Sequence, residues 1–411
     1  MTRRQWAYVA VAVLLLAAVA GVLAWYFTRA DDDASTVTPT PTPTAAAAAS
    51  ETAVAAAEPV FELRANCAPG EVVDYEHTHT IFADVPTAHV IEANDSGNTA
   101  CMWEATGGNM RITHRDPNTN EWSTPKPVPG SLGPNVMFAE MSKSGLYMRT
   151  KSTDGNYYML WTGKDGSDVR VIENQGTAVR YFFNDNDDLC GKSVGTEIAV
   201  YRRSGESWTE STSLTIDEEP PVWCVPTSGD VMYSGFRRYE DPHDNTGVVV
   251  YHRPDGSNEF QRVAYFSGPN VSSEPGTYES ITGNVCVVYN SSIGVMGVIY
   301  RTGERSFEIN LEANANVSLD GNRLGHITVV NENILVARDG DAIGGNVYVW
   351  NIDTTNGALS NQRVIPTIGF NRSPGVARKP DFDTMSILLG TGGDQVQDYR
   401  AKCSTTRVQI A

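Results

Sequence analysis

IAVYRRSGESWTE (Ile198–Glu210), VVVYHRPDGSNEFQ (Val248–Gln261) and VIYRTGERSFEI (Val298–Ile309) share one grammar: an apolar strand, a polar turn, a second strand. Weaker copies are MRITHRDPNTNEWS (Met110–Ser123), YMLWTGKDGSDVRV (Tyr158–Val171), VYVWNIDTTNGALS (Val347–Ser360) and VQDYRAKCSTTRVQ (Val396–Gln409). The ring residue just before each turn is His114, Trp161, Tyr201, Tyr251, Tyr300, Trp350 and Tyr399, at intervals of 47, 40, 50, 49, 50 and 49. A near-constant period of that length, with several strands per unit, marks a β-propeller. One unit cannot bury both faces of its sheet alone, so units pack on one another and close into a ring. Seven landmarks predict an all-β propeller of seven blades; six blades with irregular extensions is the alternative. The last copy ends at Ala411 after two or three strands, so Phe61–Ala93 is expected to supply the missing strands and close the ring.

Composition agrees. Among 411 residues stand 36 Gly, 17 Tyr and 8 Trp, which suit a turn-rich β protein better than a helical one. The formal charge is −18, from Lys+Arg 31 against Asp+Glu 49, which argues against a nucleic-acid partner that must be tracked through its phosphates.

The repeats are preceded by an address. Residues 5–27 read QWAYVAVAVLLLAAVAGVLAWYF without a charge, enough helix to span a hydrocarbon core of ~30 Å. Trp6, Tyr8, Trp25 and Tyr26 lie near its ends, Arg3 and Arg4 precede it, and Asp31–Asp33 follow Arg29. This pattern predicts a signal-anchor: residues 1–4 cytoplasmic, the rest outside, a single-pass type II membrane protein. A signal peptide cleaved after Ala18-Val19-Ala20 is the competing reading, and it too exports the chain. Residues 28–58 are rich in Thr, Pro and Ala, which excludes helix and ladder and predicts an extended stalk. Residues 59–411 form the ectodomain.

The stretch LGHITVVNENILVARDGDAIGGNVYVWNID (Leu324–Asp353) resembles an FG-GAP repeat, the unit of integrin-α-like propellers. Leu324-Gly325 stands for the Phe-Gly, Ile334–Ala337 for the next strand and Val347–Trp350 for the one after. Ser228–Arg253 and Thr282–Arg301 repeat the second half. The resemblance implies a seven-bladed recognition domain and, in its calcium-binding members, a D-x-D-x-D-G loop of oxygen ligands. Here the matching positions are Asp339 and Asp341, and Asn186 and Asp188, with Asp241 and Asp244 a weaker copy. Two such ligands per loop leave a six- to eight-coordinate ion short. The loops therefore read as solvated turns, with calcium as the alternative and no other cofactor implied.

Other constellations carry less chemistry. His77 and His79 would alternate onto one side of a strand, as two metal ligands do, but no further ligand has recognisable spacing. A sialidase-like glycosidase would share the layout of anchor, stalk and propeller. It needs three arginines about a carboxylate, and Arg237, Arg238 and the segment Ser204–Trp208 are the nearest features. GTGG at Gly390–Gly393 has no following helix and fails as a phosphate loop. Of six cysteines, Cys67 and Cys403 stand near the two ends of the ring and Cys190 and Cys224 in neighbouring blades, making two candidate disulfides; Cys101 and Cys286 read as buried thiols. Sequons at Asn94, Asn270, Asn290, Asn316 and Asn371 occur about as often as chance allows, and would be acceptors only in a eukaryotic or viral setting. The expected function is surface recognition or adhesion: an extracellular protein or glycan partner held by propeller loops without covalent chemistry. A glycosidase and a structural coat protein are the alternatives.

Overall fold

The computed structural model describes residues 72–404 apart from connecting segments, of which the longest are 217–229, 314–323 and 238–245. The chain divides into Met1–Glu58 and Pro59–Ala411, and every described residue belongs to the second unit. The expected anchor and stalk lie outside the described residues. Among the described residues no helix is long and apolar enough to cross a membrane.

The described fold is all-β. After β1 (Val72–Phe82) come β2 (Val90–Ala93), β3 (Thr99–Trp103), β4 (Met110–His114) and β5 (Lys126–Pro127). Next are β6 (Val136–Met141), β7 (Tyr147–Ser152), β8 (Tyr157–Trp161) and β9 (Arg170–Gly176), then β10 (Tyr181–Phe183), β11 (Leu189–Lys192), β12 (Glu197–Ser204) and β13 (Ser207–Ile216). A group of three follows: β14 (Val231–Arg237), β15 (Thr246–His252) and β16 (Glu259–Ser267). Then come β17 (Pro275–Glu279), β18 (Val285–Asn290), β19 (Val295–Gly303) and β20 (Ser306–Asn310), and β21 (Leu324–Val330), β22 (Ile334–Asp339), β23 (Val347–Ile352) and β24 (Leu359–Ile365). The last are β25 (Gly375–Val376), β26 (Ser386–Gly390) and β27 (Gln395–Ser404).

These strands form six hydrogen-bonded sheets, and in each group neighbours pair antiparallel in chain order. The seven-stranded sheet consists of β10–β13 and β14–β16, joined by a short parallel contact of Thr215 with Glu259 and Ile216 with Phe260. The final sheet runs β1-β27-β26-β25, so the first strand completes the last unit, from Val72 opposite Ser404 to Phe82 opposite Gln395. Of the segment Phe61–Ala93, expected to supply the missing strands, β1 is the described strand that completes the last unit, whereas β2 opens a different sheet. All seven ring landmarks fall on corresponding strands: β4, β8, β12, β15, β19, β23 and β27.

The middle strands explain why the repeats read as apolar runs. In β18, Val285, Val287 and Tyr289 pack toward β21–β23, while Cys286 and Val288 pack toward β14 and β15. In β23, Tyr348, Trp350 and Ile352 face β18 and β19, and Val347 with Val349 faces β26. Alternate residues point to opposite faces, so a strand sandwiched between two sheets must be apolar at every position. Further clusters join β26 to β2 and β3, through Leu388, Ile91 and Met102, and β3 and β4 to β7 and β8, through Ile112, Met148 and Leu160. Tyr201 of β12 packs on Tyr147 and Met159. Each unit thus meets the next, and the last meets the first.

One turn recurs between the first and second strands of a unit: Asn94–Asn98, Ser142–Leu146 and Ser280–Asn284. In each, the glycine N–H donates to the first residue's carbonyl at 2.9–3.1 Å, and the first side chain accepts the N–H of the residue opening the next strand. The turn needs a left-handed residue, and Gly97, Gly145 and Gly283 have φ of 71°, 74° and 76°.

Two polar clusters fasten neighbouring units. Asp398 of β27 is fully buried, and its Oδ2 accepts from Trp122 Nε1 at 2.9 Å, Arg400 Nε at 2.9 Å and Arg115 at 3.5 Å. Arg115 also donates to Ser386 Oγ at 2.6 Å and to the Thr384 carbonyl at 3.0 Å. Farther round the ring, Arg301 grips Asp230 with two nitrogens at 2.7 and 3.2 Å, and His252 Nε2 lies 2.9 Å from the same carboxylate.

Candidate functional site

The first strand of each unit is a sheet edge, and these edges adjoin one another: β2 packs against β25 and β6, and β17 against β14 and β21. They therefore line the middle of the ring. There lies a cavity of about 430 Å3, bounded by Glu92 of β2, Tyr278 of β17, His326, Ile327 and Thr328 of β21, and Pro374 with Val376 at β25.

A β-bulge makes this wall. Gly325 opposes Arg338 and Ile327 opposes Ala337, so His326 is the extra residue of its strand, with φ at 45°. Bulges re-aim side chains, and a left-handed histidine costs ~1–2 kcal/mol that the surrounding pairs must sustain. His326 is exposed onto the cavity, while Ile327 stays in the core beneath it. Crowding by the protein, then the charge of Arg338, lowers the imidazole pKa, so the ring is neutral at pH 7. Burial, then Tyr289, raises the Tyr278 phenol, which keeps its proton as a donor. Neutral imidazole, phenol and the Thr328 hydroxyl each donate and accept, and Glu92 only accepts. Pro374, Val376 and Ile327 supply the apolar surface.

The sequence-expected sites fare differently. Asp339 ends β22 opposite Leu324, and Asp341, Asn186, Asp188, Asp241 and Asp244 lie outside the described residues. Among the described residues no group of three His, Cys, Asp or Glu is placed to hold a metal. His77 opposes Tyr399 and His79 opposes Asp398, with a bulge between them. Adjacent partners point to opposite faces, so the two imidazoles do not share a side, which corrects the expectation. His77 instead meets Thr80 at 3.2 Å and the Tyr399 ring.

Cys101 and Cys286 are free and buried, as expected, and burial, then Glu92, pushes the Cys101 thiol up. Cys403 is disulfide-bonded; Cys67, Cys224 and the side chain of Cys190 lie outside the described residues. Asn94 is buried, its amide nitrogen donating to Ser96 and Asn98, and Asn290 is buried at the end of β18. Folded in this way, neither offers an amide to a glycan. Asn270, Asn316 and Asn371 lie outside the described residues. Ser204 pairs with Ser207 in a β12–β13 hairpin, and Thr391 caps the β26–β27 turn, so both segments serve as connections.

Neither the cavity nor the Asp398 cluster was found by sequence reasoning. Glu92 and Tyr278 are 186 positions apart, and only ring closure brings their strands together. The recurring turn was the missed signal, because it follows β2 and β17, two of the strands that line the cavity.

No protein-family profile and no curated protein matches the chain. Among solved structures it is similar to the β-propeller domain of Cps50 (Swd1) from Myceliophteria thermophila. The TM-score is 0.50 at 11% identity, over 80% of this chain and 100% of that one. The fold is a β-propeller. At that identity the likeness speaks for the fold alone, and the integrin-type kinship suggested by Leu324–Asp353 is not separately supported.

Proposed function

We propose that this protein is a surface recognition module: a seven-bladed propeller, tethered through residues 5–27 and lifted by the stalk of residues 28–58, that binds an extracellular protein or glycan without covalent chemistry. The seven antiparallel strand groups are its blades, and β1 closes the last. The FG-GAP-like pattern of Leu324–Asp353 is its nearest sequence relation, and Cys67–Cys403 is the bond that locks the closure. The observation that carries this reading is the closed succession of sheets around a solvent-reached cavity, a rigid frame whose interior edges are free for contact. The best-defined arginine clusters have structural work: Arg115 and Arg400 hold Asp398, and Arg301 holds Asp230. That arrangement favours binding over the glycosidase alternative, which needs arginines facing a substrate.

The test is to display the full chain on a non-adhesive cell and score its attachment to partner cells before and after those are treated with protease or glycosidase. Attachment that either treatment abolishes supports recognition. Absence of attachment at full surface density, with turnover of glycoside substrates, replaces it with the hydrolase reading. Self-association alone replaces it with the coat reading.

A further inference from the structure

Asn356-Gly357 is the sole Asn-Gly pair in the 411-residue chain. It closes the turn between β23 and β24, with Asn356 exposed and Gly357 buried. Such a pair carries its own chemistry, because glycine has no side chain to keep its amide nitrogen from the preceding side-chain amide. The Gly357 nitrogen loses its proton and bonds to Asn356 Cγ, the Cγ–Nδ2 bond breaks, and ammonia leaves with that proton. Water then opens the cyclic imide at either carbonyl and gives aspartate or isoaspartate at position 356.

The turn opposes each part of that step. The Gly357 N–H donates to the Asp353 carbonyl at 2.7 Å, so the nucleophile is engaged. Asn356 Nδ2 donates to Asp353 Oδ2 at 3.0 Å and Asn356 Oδ1 accepts the Ala358 N–H at 2.8 Å, so the reacting amide is held by both its atoms. Asp353 Oδ1 in turn accepts the N–H and the hydroxyl of Thr355 at 2.9 and 2.6 Å. The turn is also seated on the neighbouring unit. The Asn356 carbonyl accepts from Asn310 Nδ2 of β20 at 2.9 Å, and a Cβ on Gly357 would stand 2.8 Å from the Tyr300 ring of β19. Attack therefore requires the turn to open, and the native rate is the open-chain rate multiplied by the open fraction.

We propose that Asn356 is a modification site, a deamidation switch gated by the fold, whose conversion loosens the seat of the β23–β24 turn on β19 and β20. Aspartate replaces the Nδ2 donor with an oxygen that faces Asp353 Oδ2, so a hydrogen bond becomes a like-charge contact. Isoaspartate lengthens the main chain by one carbon and breaks the register of the turn. The assignment is independent of the recognition reading.

The test incubates the full-length chain in detergent and mildly alkaline buffer, native and in concentrated urea, and follows the peptide containing Asn356 by mass spectrometry. The amide should be lost at least about tenfold more slowly in the native chain than in urea. Asp353→Ala removes the carboxylate that holds Asn356 and Thr355, so it should speed the native reaction about tenfold and leave the urea reaction unchanged. Asn356→Asp, which mimics one product, should lower the melting temperature by about 2 °C. Equal rates in the native chain and in urea overturn the gating, as does a native rate that Asp353→Ala leaves unaltered. An Asn356→Asp chain that melts with the parent overturns the loosening.

Discussion

Asp398→Ala and Arg115→Met should have very different costs, although the two residues form one ion pair. Arg115 has a side chain 1% exposed, and burial pulls its pKa down to about 10 against the attraction of Asp398. That displacement corresponds to ~3 kcal/mol which the charged guanidinium forfeits on folding. Arg115→Met recovers that amount, which is already net of the Asp398 attraction, and loses three further hydrogen bonds, to Ser386, Thr384 and Asn120, worth about 1 kcal/mol each. The variant should therefore unfold within ~1 kcal/mol of the parent, with Asp398 still held by Arg400 and Trp122.

Asp398→Ala leaves Arg115 buried beside Arg400 with no carboxylate between them, and breaking a buried pair from that side costs ~3–5 kcal/mol. For a domain of roughly 330 residues, ~4 kcal/mol lowers the melting temperature by about 6 °C. Differential scanning calorimetry of both variants at pH 7 reads the difference directly. If Arg115→Met falls as far as Asp398→Ala, the charge is not a burden in the folded ring and this reasoning is wrong.

Four other outcomes follow from the same geometry. Burial works upward on the Asp230 carboxyl, but hydrogen bonds and charge from Arg301, with His252, hold it below the usual carboxylate range. Its stabilisation is complete above the ordinary Asp pKa and fades as pH falls through the lower folded value, so Arg301→Ala should move the acid unfolding limb to higher pH in urea titrations between about pH 2 and 5. His326 has the same sign: folding lowers its pKa, so stability drops as pH falls below about 6.5, and His326→Gln should flatten that slope. In Gly145→Ala the new Cβ would sit 2.8 Å from Thr99 Oγ1 at a φ of 74°, and the urea midpoint should report a loss of ~1–3 kcal/mol, whereas Ser144→Ala should lose well under that. A non-reducing digest should recover Cys403 linked to Cys67, while Cys101 and Cys286 alkylate only after unfolding; Cys403 joined to Cys190 or Cys224 would remove the covalent closure of the ring.

The propeller was legible because its signal is local and repeated. The landmark rings recur at a near-constant interval on strands such as β19, where Met296–Tyr300 are all buried, and about a dozen residues suffice to read each unit. What stayed hidden depends on partners far away in the chain. Nothing in EHTH shows that a bulge turns His77 and His79 apart, because the bulge is defined against Tyr399 and Asp398. Asn94 has the pattern of a glycan acceptor and the structure of a turn cap, and only its bonds to Ser96, Asn98 and Thr99 decide between them. Asp398 gave no signal, since one acid among forty-nine is distinguished only by Arg115, Trp122 and Arg400 converging on it.

The strands of one blade differ in how deeply they are buried. The middle strands are apolar on both faces: all of β18 is buried, and Leu335, Val336, Val349 and Trp350 of β22 and β23 are nearly inaccessible. The first strands are mixed, with exposed His326 and half-buried Thr328 in β21 and half-buried Glu92 in β2. They have one sheet neighbour instead of two, and a packing substitution there removes less buried area. Side chains at these inner edges can therefore be polar, and can change, without opening the ring. The ring's closure is held elsewhere, by the β1–β27 ladder and the Asp398 cluster. Side chains on the inner edges are thus free to vary while the fold is kept, which is why the repeat pattern identifies the architecture and says little about function.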